Sequence, residues 1–157
     1  MTERIIGTYG RLFTITVLIA LSTLAACKKE DRLDESPKCP VSAVNGANDN
    51  VIGKWKLIKA KVVFKNQETE DYSCDDIIYD FQDDGVLLIS GSSDKAIGYQ
   101  EGQYMYEFTT ERLFEGLEEG YTISINNRKI ATGIKNNQLV LNDSPLDGPI
   151  LYFVRVE

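Results

Sequence analysis

Between residues 51 and 157, short runs rich in β-branched and aromatic residues recur at intervals of about 8–12 residues, the spacing of all-β domains. Clusters of Gly, Asn and Asp divide them. Eight runs can be read, over residues 52–64, 76–82, 86–90, 103–109, 121–126, 129–135, 138–142 and 149–156. Asp83-Asp84-Gly85 is a strong hairpin turn. Asn126-Asn127-Arg128 is a turn, and Asn136-Asn137 is another that tolerates positive φ. Residues 91–101, 110–119 and 143–148 are loops. Short connections make an antiparallel meander the natural topology. Eight antiparallel strands close into a barrel just wide enough to be filled or to hold one small ligand. The expected fold is therefore all-β, an eight-stranded antiparallel meander barrel.

Side-chain alternation gives that barrel one buried face. Ile77, Tyr79 and Phe81 alternate with Ile78, Asp80 and Gln82; Tyr104, Tyr106 and Phe108 with Met105, Glu107 and Thr109; Tyr121, Ile123 and Ile125 with Thr122, Ser124 and Asn126. The first strand breaks the rule. Trp55 and Leu57 share one parity, but Ile58, Ala60, Val62 and Phe64 share the other. A bulge or bend near residues 57–59 would restore a single inward face.

The first 27 residues read as an address. Arg4 and Arg11 precede an apolar run over residues 12–26, the build of a secretory signal peptide. Fifteen residues at the helical rise cover about 22 Å, short of a hydrocarbon core of roughly 30 Å, so a permanent span is disfavoured. The run ends in Leu24-Ala25-Ala26-Cys27, which resembles the bacterial lipoprotein signal. That resemblance implies cleavage after residue 26 and lipidation of Cys27, whose acyl chains would hold the protein stably at a membrane. Next come Lys28-Lys29-Glu30-Asp31, with Asp34 and Glu35 close behind. This is similar to the export signal of lipoproteins of the Bacteroidetes group that reach the outer face of the outer membrane; a plain solvated spacer has the same composition. Residues 27–50 are expected to be a lipidated N-terminus and flexible tether, with the barrel domain over 51–157. The expected location is the outer membrane, lipid-anchored; the charged run read as an export signal implies display at the cell surface, and read as a spacer implies no particular face.

Charge and cysteine content narrow the partners. Losing residues 1–26 removes two of the 17 bases and one of the 24 acids, taking the net charge from −7 to −8. Nucleic-acid binding is excluded on this balance, because it rests on clustered Lys and Arg. With Cys27 lipidated, Cys39 and Cys74 remain, and an oxidising envelope favours one disulfide between them. Closing a loop of about 36 residues stabilises by roughly 3–4 kcal/mol in the chain-entropy model. Two thiolates without His make a poor zinc set, so no metal is expected.

Gly53-Lys54-Trp55 on the first strand, with Arg155 on the last, resembles the lipocalin and lipocalin-like pattern. The resemblance covers residues 51–157 and is nearest to small lipocalin-like domains of Bacteroidetes lipoproteins. It implies a barrel whose closed end is plugged by Trp55, with Arg155 packed across the indole; Arg over Trp is also the best cation–π pairing. The strands are shorter than in full-size lipocalins, and no C-terminal helix follows.

Little in the chain suggests catalysis. Histidine, the commonest general base, is absent. The paired acids Asp75-Asp76, Asp83-Asp84 and Glu118-Glu119 read as solvated turn formers, and no Gly-x-Ser-x-Gly elbow or phosphate-binding Gly-rich loop occurs. A non-enzymatic protein without cofactor is expected. Tyr79, Phe81, Tyr104, Tyr106, Phe108, Tyr121 and Phe153 can line an apolar cavity for a small hydrophobic or amphipathic ligand. Alternatively they fill the barrel, and its surface contacts an envelope protein or a glycan.

Overall fold

A computed structural model describes residues 36–62, 69–91, 97–111, 113 and 120–157. The chain divides into two units, Met1–Ser36 and Pro37–Glu157. Of the first only Ser36 is described, so the signal segment, Cys27 and the charged run after it lie outside the described residues. So do Phe64 and Glu118-Glu119.

The second unit is an antiparallel barrel. Its strands are β1 (Gly53–Lys61), β2 (Thr69–Asp71), β3 (Ile78–Phe81), β4 (Val86–Ser90), β5 (Gly102–Thr109), β6 (Tyr121–Ile125), β7 (Arg128–Lys135), β8 (Gln138–Asn142) and β9 (Ile150–Val156). From β3 to β9 each strand pairs with the next in sequence, and β1 pairs with both β3 and β9. Those eight strands close the meander into the expected lipocalin-like barrel, with no free edge in the circuit.

The remaining strand, β2, was not legible in the sequence. It pairs with Lys59, Ala60 and Lys61, beyond the stretch of β1 that pairs with β3. It holds only Thr69-Glu70-Asp71, too short and too polar for a strand signal, and is carried by its ladder with β1. Arg128, expected in a turn, instead opens β7 opposite Ile125.

Local chemistry accounts for the circuit. Both residues of each Asn-Asn pair take positive φ, 48° and 70° at Asn126 and Asn127 and 51° and 63° at Asn136 and Asn137. Two successive residues of that kind make the tight turn whose twist matches the flanking strands. Asp83-Asp84-Gly85 is a three-residue loop closed by the Gln82 amide donating to the Val86 carbonyl at 2.8 Å, with Gly85 at φ 82°. The β1–β9 register shifts between Leu57 and Lys59, so Leu57 and Ala60 both enter the core despite their opposite parity. This is the expected bulge.

The inward residues make one core. Trp55, Leu57, Tyr79, Phe81, Leu87, Ile123, Ile125, Leu139 and Phe153 are fully buried within it. Burying each large apolar side chain contributes roughly 1.5–3 kcal/mol before its entropy cost. One end of the barrel is bounded by the start of β1 and the end of β9, where Trp55 faces Arg155; the other lies at the β6–β7 turn and the β8–β9 connection.

Candidate functional site

At the Trp55 end, the guanidinium carbon of Arg155 stands 4.1 Å from the centre of the indole ring. Arg155 Nη1 donates to the Ile52 carbonyl at 2.8 Å, and Nη2 donates to the carbonyls of Ala47 and Asn50 at 3.0 and 2.8 Å. The indole Nε1 donates to the Val51 carbonyl at 2.7 Å. Burial pulls the Arg155 pKa below its usual value, and among the described residues the charge is held by the indole ring and three carbonyls. Gly53, with φ 118°, sits where a Cβ would lie 3.3 Å from Arg155 Nη1. Gly53, Trp55 and Arg155 thus meet as the sequence pattern implies. The end is shut.

Residues 37–50 run against the barrel at this end as a strap. Lys38 donates its amide to Asp71 Oδ2 at 2.9 Å, and the Cys39 amide donates to Ser73 Oγ at 3.0 Å. Cys39 and Cys74 form the disulfide, with Cα atoms 5.1 Å apart. Farther along, the Val44 amide donates to the Arg155 carbonyl at 3.0 Å, and the Gly46 amide to Asn137 Oδ1 at 3.2 Å. A Cβ on Gly46 would fall 2.4 Å from Arg155 Nε, so only glycine lets the strap cross there. The compact unit accordingly starts at Pro37 rather than at residue 51. The disulfide was the sequence sign that this segment is pinned to the domain; its other attachments left none, because the strap is polar and held by backbone groups, with no apolar period.

Interior aromatics pack against one another. Ring centres lie 4.8 Å apart for Tyr79 and Phe153, and 5.0 Å apart both for Phe81 and Tyr106 and for Phe108 and Tyr121. Their polar tips are occupied too. Tyr106 Oη donates to the Gln82 carbonyl at 2.6 Å, Tyr104 Oη to the Gln100 carbonyl at 2.9 Å, and Tyr79 Oη accepts from the Tyr99 amide at 3.1 Å. Burial raises the pKa of Tyr79 and Tyr106, so both stay neutral donors. Of the seven residues expected to line a ligand cavity, Tyr79, Phe81 and Phe153 are buried in the barrel core, Tyr104, Tyr106 and Phe108 are half-buried and pack against it, and Tyr121 is half-buried.

One hollow lies at the opposite end. A cavity of about 260 Å³ is walled by Gly98, Tyr99, Ile130, Leu141, Gly148, Pro149 and Leu151, with Arg128 and Asp143 also lining it; none of the seven aromatics does. Tyr99 comes from the stretch 97–100 of the loop between β4 and β5 and packs edge-on against Tyr104 at 5.2 Å. Arg128 Nε and Nη2 reach Asp143 Oδ2 at 2.9 and 2.6 Å, and Nη2 also donates to the Leu146 carbonyl at 3.2 Å. The second oxygen, Asp143 Oδ1, is buried with no hydrogen-bond partner. Neither Tyr99, Arg128 nor Asp143 was singled out by sequence. For Arg128 a signal existed, since counting back by two from Ile130 puts it on the inward parity. For Tyr99 and Asp143 there was none, because loops carry no parity.

A second hollow, about 340 Å³, lies among Glu107, Thr109, Glu111, Leu113, Thr122, Ser124 and Lys129 on the outward side of β5 and β6. Asp84 and Asp76, one from each described acid pair, act as a turn group and a surface group. Asp84 Oδ1 accepts from the Val86 amide at 3.1 Å, and Asp76 pairs with Lys56 at 3.0 Å. Among the described residues no three Cys, Asp or Glu side chains converge as a metal site, and no helix is long and apolar enough to cross a membrane. No family model, curated protein or solved structure matches this chain.

Proposed function

We propose that this is a non-catalytic, lipid-anchored protein of a bacterial outer membrane whose small barrel binds one small amphipathic molecule at its open end. The supporting observation is the mouth cavity: apolar walls from Ile130, Leu141, Leu151 and Tyr99 beside a single ion pair. A concave apolar site with a few convergent polar groups is the usual form of a small-molecule site. At about 260 Å³ it lies just under the roughly 300–1,000 Å³ of sites for drug-sized ligands, so it suits a molecule of one ring or a short chain. Anchoring rests on the Leu24-Ala25-Ala26-Cys27 signal. Native mass spectrometry after gentle purification tests the binding reading: a non-covalent small molecule should accompany the protein, and added ligand should raise its melting temperature with concentration. Failure of every apolar and amphipathic probe to shift melting would sink it. Labelled palmitate should enter the wild type but not Cys27→Ser.

A second reading has its own support. The interior aromatics pack against one another, and the outward hollow near Glu107, Thr109 and Ser124 offers hydroxyl and carboxylate groups suited to a glycan or a protein loop. A stable partner recovered with the protein, in the absence of any small molecule, would favour this alternative.

A further inference from the structure

The mouth cavity contains one ion pair, and its two members do not meet a ligand equally. The Arg128 side chain is 48% exposed, whereas that of Asp143 is 13% exposed. Asp143 Oδ2 is engaged by Arg128 Nε and Nη2, and Oδ1 is buried away from any group that enters the cavity. The guanidinium is therefore the charged group that the cavity presents. It keeps donor capacity: Nε and Nη2 are spent on Asp143 and Leu146, while Nη1 makes no hydrogen bond among the described residues. Asp147, in the same connection between β8 and β9, is exposed but does not line the cavity.

Tyr99, on the same wall, stands near this cation. Burial raises the pKa of its phenol and the Arg128 charge acts in the opposite sense; the net shift is upward, so the hydroxyl keeps its proton. It donates to the Ile125 carbonyl at 3.5 Å, the long limit of such a bond, and is weakly held there. Arg128 and Tyr99 thus bring donors to a cavity whose other walls include the apolar Ile130, Leu141 and Leu151.

Four head groups can be compared at this edge. A carboxylate accepts from Arg128 and gains the attraction of opposite charges. The Asp143 charge, on the Nε–Nη2 edge of the guanidinium, is farther from Nη1 and opposes this less. A hydroxyl accepts the same bond without the charge, at roughly half the strength. An ammonium meets a like charge, with the nearby carboxylate already engaged. A hydrocarbon gains the walls alone and leaves the guanidinium, which can only donate, without an acceptor.

We propose that the mouth cavity takes small apolar carboxylates, read by the exposed Arg128 guanidinium. This rests on the proposed binding function and names its ligand class.

The test uses the full-length chain in nonionic detergent with four probes that share one ring: cyclohexanecarboxylate, cyclohexylmethanol, cyclohexylmethylamine and methylcyclohexane. At about pH 7 the acid and the amine are both charged. Affinity is measured by calorimetry, and location by methyl NMR shifts of Ile130, Leu141 and Leu151. In the wild type the acid should bind about tenfold or more tighter than the alcohol or the hydrocarbon, with the amine weakest. Raising salt from about 20 to about 500 mM should weaken the acid and leave the alcohol unchanged. Arg128→Gln should bring the acid down to the alcohol or below it while the alcohol changes by less than about twofold. Arg128→Lys should keep acid above amine, and the wild-type ranking with its salt dependence decides the matter if neither variant folds. An alcohol or amine bound as tightly as the acid, or an acid preference retained in folded Arg128→Gln, would overturn the head-group assignment while leaving the cavity as a site. Absence of shifts at all three residues with all four probes would overturn the mouth site itself.

Discussion

At the scale of single residues, the closed end depends on a few atoms that admit no substitute. Trp55 is fully buried and has the Arg155 guanidinium stacked on its ring. Trp55→Ala should destabilise by about 3–5 kcal/mol, as a core truncation that also removes the partner of a buried cation. Urea unfolding checks this, and a change below about 1 kcal/mol would refute the plug. Asp71 is a subtler case. Burial alone would raise its pKa, but hydrogen bonds from the Ser73 hydroxyl and from the amides of Lys38 and Ser73 outweigh it, and the net shift is downward. A carboxyl with a depressed folded pKa stabilises above its unfolded value of 3.8, and that contribution is lost as pH falls through the folded value. Asp71→Asn should therefore flatten the acid limb of the stability profile below about pH 4, by under about 1 kcal/mol because the site is well solvated. Thermal melts from pH 2 to 7 on both proteins read it; parallel acid limbs would refute it.

At the scale of elements, the strap over residues 37–50 is the piece without regular structure that nonetheless holds position. One end is fastened by Cys39–Cys74 and the Asp71–Ser73 cluster, the other by Arg155 and Asn137. Replacing both cysteines by Ser should cost up to roughly 3–4 kcal/mol, since the disulfide closes a long loop in the unfolded chain. Hydrogen exchange should rise first at residues 38–44, while the β6–β7 and β7–β8 hairpins keep their protection because their turns are local. Uniform loosening of the barrel would contradict this order. The strands themselves tolerate parity errors only through the bulge at residues 57–59, which turns Leu57 and Ala60 to the same side. A one-residue slip without it would send every later side chain of β1 to the wrong face.

At the scale of the whole barrel, closing the eight-stranded circuit removes its edges and leaves two ends with different fates. One is sealed by tryptophan, arginine and the strap; the other keeps the small cavity. Filling that cavity is the direct test of its use. Ile130→Phe, placed on a wall between Arg128 and Thr132, should abolish ligand-induced stabilisation while shifting the unliganded melting temperature by only a few degrees. Ligand binding unchanged in a folded Ile130→Phe protein would place the site elsewhere.

The strands were legible because their information is local. Period-two alternation, paired asparagines and Asp-Asp-Gly each act over a few residues, so all eight expected runs correspond to barrel strands, and even the bulge shows as a break in parity. Gly53, Trp55 and Arg155 were legible through their pattern, and the disulfide through cysteine number. The strap beyond its disulfide, β2, Tyr99 in the mouth and the Arg128–Asp143 pair were not. Each is held by contacts that barrel closure alone brings together: Val44 to Arg155, Thr69–Asp71 to the outer half of β1, Tyr99 to Tyr79, Arg128 to Asp143. Sequence by itself determined the strands, turns and inward face, because backbone sterics and side-chain periodicity are short-range. Only the tertiary structure decided which end stays open and which groups stand there, because loop positions depend on closure of a barrel whose ends meet 100 residues apart, as at Trp55 and Arg155.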